Sequence, residues 1–280
     1  MTRHDRDQLG EGPVWSARDG ALYWVDILRQ KLHRLRLNDG TTRSWTIPDL
    51  IGWVIERRHQ PGFIAGLRSG FAELDLDPFA IRPLARPAMH LSGSRFNDAK
   101  ADSAGRIYAG SMSMAADQPT GCLYRLDPNG DMTVLDKGYT IANGPAFSRD
   151  ERYLYHTDSA RRLIYRFEVR EGGALGERRS FVTFPENWGK PDGMTVDTED
   201  HLWVAHWDGA RVSRFAPDGS LQRSIDLPTP QITSCAFAGP ALDRMFVTSA
   251  ATGREDDLHA GSLFEVDPGV RGLAPQTFGG

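Results

Sequence analysis

The sequence predicts an all-β fold, a six-bladed β-propeller with four-stranded antiparallel blades around a central channel. Three observations lead there. Apolar residues alternate with period two in short bursts that end in turn residues, as in Ala21-Leu22-Tyr23-Trp24-Val25-Asp26 and His201-Leu202-Trp203-Val204-Ala205, which is the pattern of strands. The aromatic residue of each burst recurs at 23, 63, 108, 155, 203 and 246, with spacings of 40, 45, 47, 48 and 43. No segment shows an amphipathic helix of useful length, which disfavours a parallel α/β sheet. A period of roughly 40 to 50 residues with four strands in each unit is that of a propeller blade.

The elements of each unit follow in order. The marker strand is followed by a second one, as in Lys31-Leu32-His33-Arg34-Leu35, Cys122-Leu123-Tyr124-Arg125-Leu126 and Leu163-Ile164-Tyr165-Arg166-Phe167. Several of these second strands lead into Asp39-Gly40, Pro128-Asn129-Gly130 or Pro217-Asp218-Gly219, dipeptides that tolerate the positive φ of tight turns. Another strand precedes each marker, beginning 11 to 13 residues earlier. Six such units account for residues 1–280 as a single domain, with an end strand expected to complete the ring.

Composition narrows the function. The 33 Lys and Arg against 37 Asp and Glu leave a formal charge of -4, so no basic field is present to hold nucleic acid. Cys122 and Cys235 lie far apart and match no zinc or redox spacing; they read as buried, reduced small hydrophobes. The start, Met1-Thr2-Arg3-His4-Asp5-Arg6-Asp7, has no apolar stretch behind it, and no apolar run approaches the roughly 18 residues a membrane span needs. A cytoplasmic protein without a membrane partner is expected.

Stacking the six first strands on one register aligns Glu11-Gly12, Gly52-Trp53, Asn97-Asp98, Asn143-Gly144, Asp192-Gly193 and Thr233-Ser234. The first strand of every blade lines the channel, so equivalent positions form a ring about the axis. Asn-Gly and Asp-Gly are ordinary turn formers when they occur singly. Here Glu11, Asn97, Asn143 and Asp192 fall in one column of a repeat and bring four side-chain oxygens to one axis. Two carboxylates crowded there with two amide oxygens suit a divalent cation. The all-oxygen set favours calcium, magnesium, manganese or iron(II) over a structural zinc site. Arg95 precedes Asn97 by two and alternation puts both on one side, where the guanidinium could hold an anion or a polyhydroxylated substrate. Trp188, Lys190, His206, Trp207 and Asp208 flank the Asp192 strand as candidate pocket walls, with a packed or solvated role as the alternative.

These residues resemble the SMP-30/gluconolactonase family, the group that includes regucalcin and bacterial sugar lactonases. The carriers are Leu9-Gly10-Glu11-Gly12-Pro13-Val14-Trp15, Leu22-Tyr23-Trp24-Val25-Asp26, Arg95-Phe96-Asn97-Asp98, Ala109-Gly110-Ser111-Met112, Asn143-Gly144, Pro191-Asp192-Gly193-Met194 and Leu202-Trp203-Val204-Ala205. The resemblance implies one divalent ion held by Glu11, Asn143 and Asp192, with Arg95 and Asn97 contacting substrate; its identity among calcium, manganese, zinc and iron(II) stays open. Regucalcin-like members carry an acidic substrate contact a few residues past the Ala-Gly-x-Met segment, whereas Met112 is followed here by Ser113-Met114-Ala115-Ala116-Asp117. The stretch Asp117–Gly121 is closer to bacterial members, which include pentonolactone hydrolases.

The implied activity is hydrolysis of a small sugar lactone. The ion would polarise the carbonyl, and Asp192 would assist deprotonation of the attacking water. No Gly-x-Ser-x-Gly nucleophile motif occurs. The alternatives are a metal-dependent organophosphatase or aryl esterase, and a calcium-binding propeller without enzymatic activity.

Overall fold

The computed structural model describes residues 6–87 and 93–280. Alternation along the strands produces six antiparallel sheets. Blade one contains β1 (Gly10–Ser16), β2 (Ala21–Asp26), β3 (Lys31–Arg36) and β4 (Thr42–Thr46); blade two contains β5 (Ile51–Glu56), β6 (Phe63–Leu67), β7 (Gly70–Leu76) and β8 (Phe79–Ala85). Blade three contains β9 (Ser94–Ala101), β10 (Ile107–Ser113), β11 (Gly121–Leu126) and β12 (Met132–Tyr139); blade four contains β13 (Ala142–Phe147), β14 (Tyr153–Asp158), β15 (Leu163–Glu168) and β16 (Arg179–Thr183). Blade five contains β17 (Lys190–Val196), β18 (Leu202–Trp207), β19 (Arg211–Phe215) and β20 (Leu221–Asp226). Blade six contains β21 (Ile232–Ala238), β22 (Arg244–Ser249) and β23 (Phe264–Val266), three strands among the described residues. Every blade is therefore a meander, and the result is a six-bladed β-propeller. The helices among the described residues are single 3₁₀ turns, and none is long and apolar enough to cross a membrane.

The six marker aromatics all lie on the second strands and are buried. They belong to buried apolar clusters that sit between neighbouring sheets. Blades one and two share Tyr23, Val25 and Phe63, two and three share Trp53, Phe71 and Phe96, and three and four share Tyr108, Leu154 and Phe147. Tyr155 and Val204 join four to five, Trp203 and Val247 join five to six, and Trp24 and Phe246 join six to one. The core is thus a ring of interfaces, because each sheet is apolar on both faces and must cover each with a neighbour. Both cysteines are buried and free.

Local chemistry fixes how the chain enters a blade. The Asp26 carboxylate at the end of β2 accepts the N–H groups of Gln8 at 2.8 Å and Leu9 at 3.2 Å. Asp158 at the end of β14 repeats this for Thr140 at 3.1 Å and Ile141 at 3.2 Å. Backbone donors just ahead of β1 and β13 are thereby paired before the ladder begins.

The closing seam uses other contacts. Thr233 Oγ1 on β21 donates to Gly10 O at 2.6 Å, and Leu9 bridges to Ala250. The C-terminal segment then crosses the face where the first strands end. Gly272 bridges to Asp197 of blade five, Phe278 bridges to Arg57 of blade two, and Gly279 N–H donates to Gly105 O of blade three. Leu273–Gln276 roof a cavity of about 240 Å³ that Val14, Lys100, Ala146 and Val196 also line. Phe278 is 3% exposed and buried in the cluster between blades two and three. Phe278→Ala removes this anchor and is expected to lower stability by about 3 kcal/mol. Urea denaturation checks the value, and a loss near zero would mean that the segment is not held by this side chain.

Candidate active site

All six first strands break register at the stacked position. The shift falls between Glu11 and Val14 in β1, Ile51 and Trp53 in β5, Asn143 and Ala146 in β13, Pro191 and Met194 in β17, and Ile232 and Ser234 in β21. In β9 it spans Asn97 and Asp98, because Phe96 pairs with Ser111 while Ala99 pairs with Ala109. A break of this kind bends the strand and re-aims its side chains, which turns an ordinary alternating strand into one that points at the axis. Gly12 (φ 55°) and Gly144 (φ 68°) follow Glu11 and Asn143 in left-handed conformations, which explains the Gly at those two places.

Arg95, Asn97, Asn143 and Ser159 form one buried hydrogen-bonded network, and Glu11 and Asp192 lie close enough to interact electrostatically with Arg95. Arg95 Nη1 donates to Asn97 Oδ1, and to Phe96 O at 3.1 Å. Asn97 Nδ2 donates to Asn143 Oδ1 at 2.6 Å and to Ala142 O at 2.7 Å. Asn143 Nδ2 donates to Ser159 Oγ at 2.9 Å, which donates to Pro191 O at 2.6 Å, beside Asp192. Gly12 N–H donates to Glu11 Oε2 at 2.9 Å. Asp192 Oδ1 is buried without a hydrogen-bond partner. The chain therefore brings Glu11, Arg95, Asn97, Asn143 and Asp192 together from four blades.

Burial pushes the Glu11 carboxyl up to about 8, and the Asp98 charge adds to the rise. Asp192 is raised well above the usual range by burial, then by Glu11 and Asp98. Burial raises Asp98 too. Arg95 is lowered to about 10 by burial, against which Glu11 and Asp192 support its charge. Carboxylates gathered without enough positive charge behave in this way, and a divalent cation would relieve them. Asp192 Oδ1, which lacks a partner, and Glu11 suit such an ion. Among the described residues no three His, Cys, Asp or Glu side chains form a cage by themselves, so an ion here would draw on the Asn143 amide as well.

The remaining sequence candidates divide. His206 is buried, donates from Nδ1 to Trp188 O at 2.8 Å, and lies 4.5 Å from the Phe184 ring. Burial lowers it to about 4, so it is a neutral packing group. Trp188 packs on Phe184 at 5.5 Å and under Arg211 at 5.3 Å. Lys190 and Trp207 are half-buried, while Asp208 is exposed 3.9 Å from Arg254. Asp117 is exposed after β10, so the Ser113–Asp117 segment places no buried acid near the axis. Thr233 shares the column but spends its hydroxyl on the seam. Asp98 was not among the sequence candidates. The signal available was that a break exposes two consecutive residues to the axis, and the column read only the first.

A propeller with ionisable groups gathered on its axis defines a class of protein in which the blades are scaffold and the axis carries the chemistry. Within that class, the SMP-30/Gluconolactonase/LRE-like region matches residues 9–251, and the chain belongs to this family. It is 37% identical to a 6-deoxy-6-sulfogluconolactonase of Pseudomonas putida over 97% of this chain and 95% of that one. It is 38% identical to a pentonolactonase of Haloferax volcanii over 95% of this chain and 92% of that one. The structure of a regucalcin from Agrobacterium tumefaciens, described as a calcium-binding protein, superposes with a TM-score of 0.92 at 26% identity, covering 99% of this chain and 95% of that one.

The axial carboxyls make metal-free stability depend on pH with a definite sign. Glu11 holds its proton more tightly folded, at about 8, than at the ordinary 4.5, so its contribution is full below 4.5 and is lost as pH rises through 8. His156, lowered to about 3, and His206, lowered to about 4, act oppositely and only below their ordinary 6.5. Among the described residues, the raised axial carboxyls set the slope between pH 6.5 and 8. Chelator-treated protein is expected to melt at progressively lower temperature across that window, and Glu11→Gln to flatten the fall. A flat wild-type profile in calorimetry would contradict the assignment.

Proposed function

We propose that this protein is a metal-dependent hydrolase that opens aldono-1,4- or 1,5-lactones to sugar acids. The observation that carries the reading is the unpartnered, buried Oδ1 of Asp192 beside Glu11 and the Arg95–Asn97 pair. Family membership and the lactonases among the relatives support it. Glu11, Asn143 and Asp192 would hold a divalent ion, whose chemistry when bound is to polarise the lactone carbonyl.

The chain's own groups do the rest. Arg95 donates to ring or hydroxyl oxygens, and Asn97, tied to both Arg95 and Asn143, keeps that donor in register with the axis. The Asp192 carboxylate accepts a proton from the attacking water as the water oxygen bonds to the carbonyl carbon. The bond from that carbon to the ring oxygen then breaks, and the ring oxygen takes the proton back. One water is consumed and one hydroxy acid is formed. The Arg95–Asn97 pair favours this reading over a purely ion-binding propeller, which has no use for a buried guanidinium at the site.

Acid release from a panel of pentono- and hexonolactones tests the proposal. Chelated protein is expected to be inactive, with turnover restored by one or more of calcium, manganese, zinc and iron(II). Asp192→Asn is expected to keep the fold and lose at least about 100-fold in kcat; near-wild-type turnover in that variant would overturn the assignment.

A further inference from the structure

A buried carboxylate beside Asn97 has no place in the proposed ligand set. Asp98 lies in the same register break of β9. Its Oδ1 accepts the Ala99 N–H at 2.7 Å, and the Gly144 N–H lies close enough to its carboxylate to favour the charged form. Gly144 is the residue after Asn143, inside the break of β13. Donors inside a break have lost their ladder partners, so an acceptor must be supplied from elsewhere.

Two neighbouring side chains of β9 thus grip Asn143 from both sides along the backbone. Asn97 holds the Ala142 carbonyl before it, and Asp98 lies close to the Gly144 N–H after it. The grip has an electrostatic cost, because Asp98 repels Glu11 and Asp192. Asp98 also does not converge with them on one point, since no three such side chains form a cage among the described residues.

We propose that Asp98 is a positioning residue of the axial site, which locks the register breaks of β9 and β13 together through the Ala99 and Gly144 N–H groups and so sets the aim of Asn97 and Asn143. This rests on the reading of the axis as a divalent-ion site. Supporting groups of this kind typically change ion affinity by about 10 to 100-fold when removed.

The test is calorimetric titration of chelator-stripped protein with Mn²⁺, and with Ca²⁺ as a second probe, alongside thermal melting and lactone kinetics. Asp98→Ala is expected to keep a cooperative melt, weaken binding of the ion by at least about tenfold, and lower kcat more than it raises KM. Asp98→Asn, which keeps one oxygen acceptor, is expected to recover most of the affinity. Asp102 is a comparator: it is buried just past β9 and accepts the Arg106 N–H at 2.9 Å in a turn. Asp102→Asn is expected to lower the melting temperature without moving ion affinity. Asp98→Ala binding as the wild type does, Asp98→Asn binding as weakly as Asp98→Ala, or both variants failing to fold would each overturn the positioning role. Unaltered protein that binds neither ion would instead overturn the reading of the site itself.

Discussion

Six sheets that pack face to face around one axis bring six first strands to the same line, and each of those strands breaks its ladder at the same height. The rest of the site depends on that shared break. A regular strand would send alternate side chains into the two flanking sheet interfaces, which are filled with apolar residues. The break lets Glu11, Asn97, Asn143 and Asp192 point at one another instead. It also strands backbone donors, and carboxylates such as Asp98 take them up.

Gathering acids in this way is electrostatically unfavourable. Glu11, Asp98 and Asp192 are all buried, and the cations that act on them are Arg95 and Lys100. Lys100 also lines the cavity beneath the C-terminal segment, so it acts from the opposite end of the channel to Arg95, which lies near the start of β9. The carboxyls answer the remaining imbalance by rising in pKa, and a bound divalent ion would answer it by supplying charge.

The ring must also be closed. Four of its six interfaces join two sheets of four strands, whereas the other two involve blade six, which has three among the described residues. Its seam with blade one combines the Trp24–Phe246 cluster with the Thr233–Gly10 hydrogen bond. The C-terminal segment ties blade five to blades two and three across the far face. That crossing covers the end of the channel opposite Arg95.

Much of this was legible in the residues alone. The recurrence of a buried aromatic on every second strand reports the period of the interfaces, because each blade needs the same large apolar group at the same level. The column of Glu11, Asn97, Asn143 and Asp192 was readable for a related reason: equivalent strands face one axis. Asp98 was not, because alternation assigns adjacent residues to opposite faces, and only the break cancels that rule. His206 lies beside the Asp192 strand, yet its ring stacks on Phe184 and its Nδ1 donates to Trp188 O, with Nε2 buried and unpartnered. The sequence by itself determined the repeat, the fold and one ring of oxygens, since these follow from periodicities of one strand at a time. Only the tertiary structure decided which neighbours share the charge and which are packed away, since that depends on local departures from the period and on contacts between residues far apart in the chain.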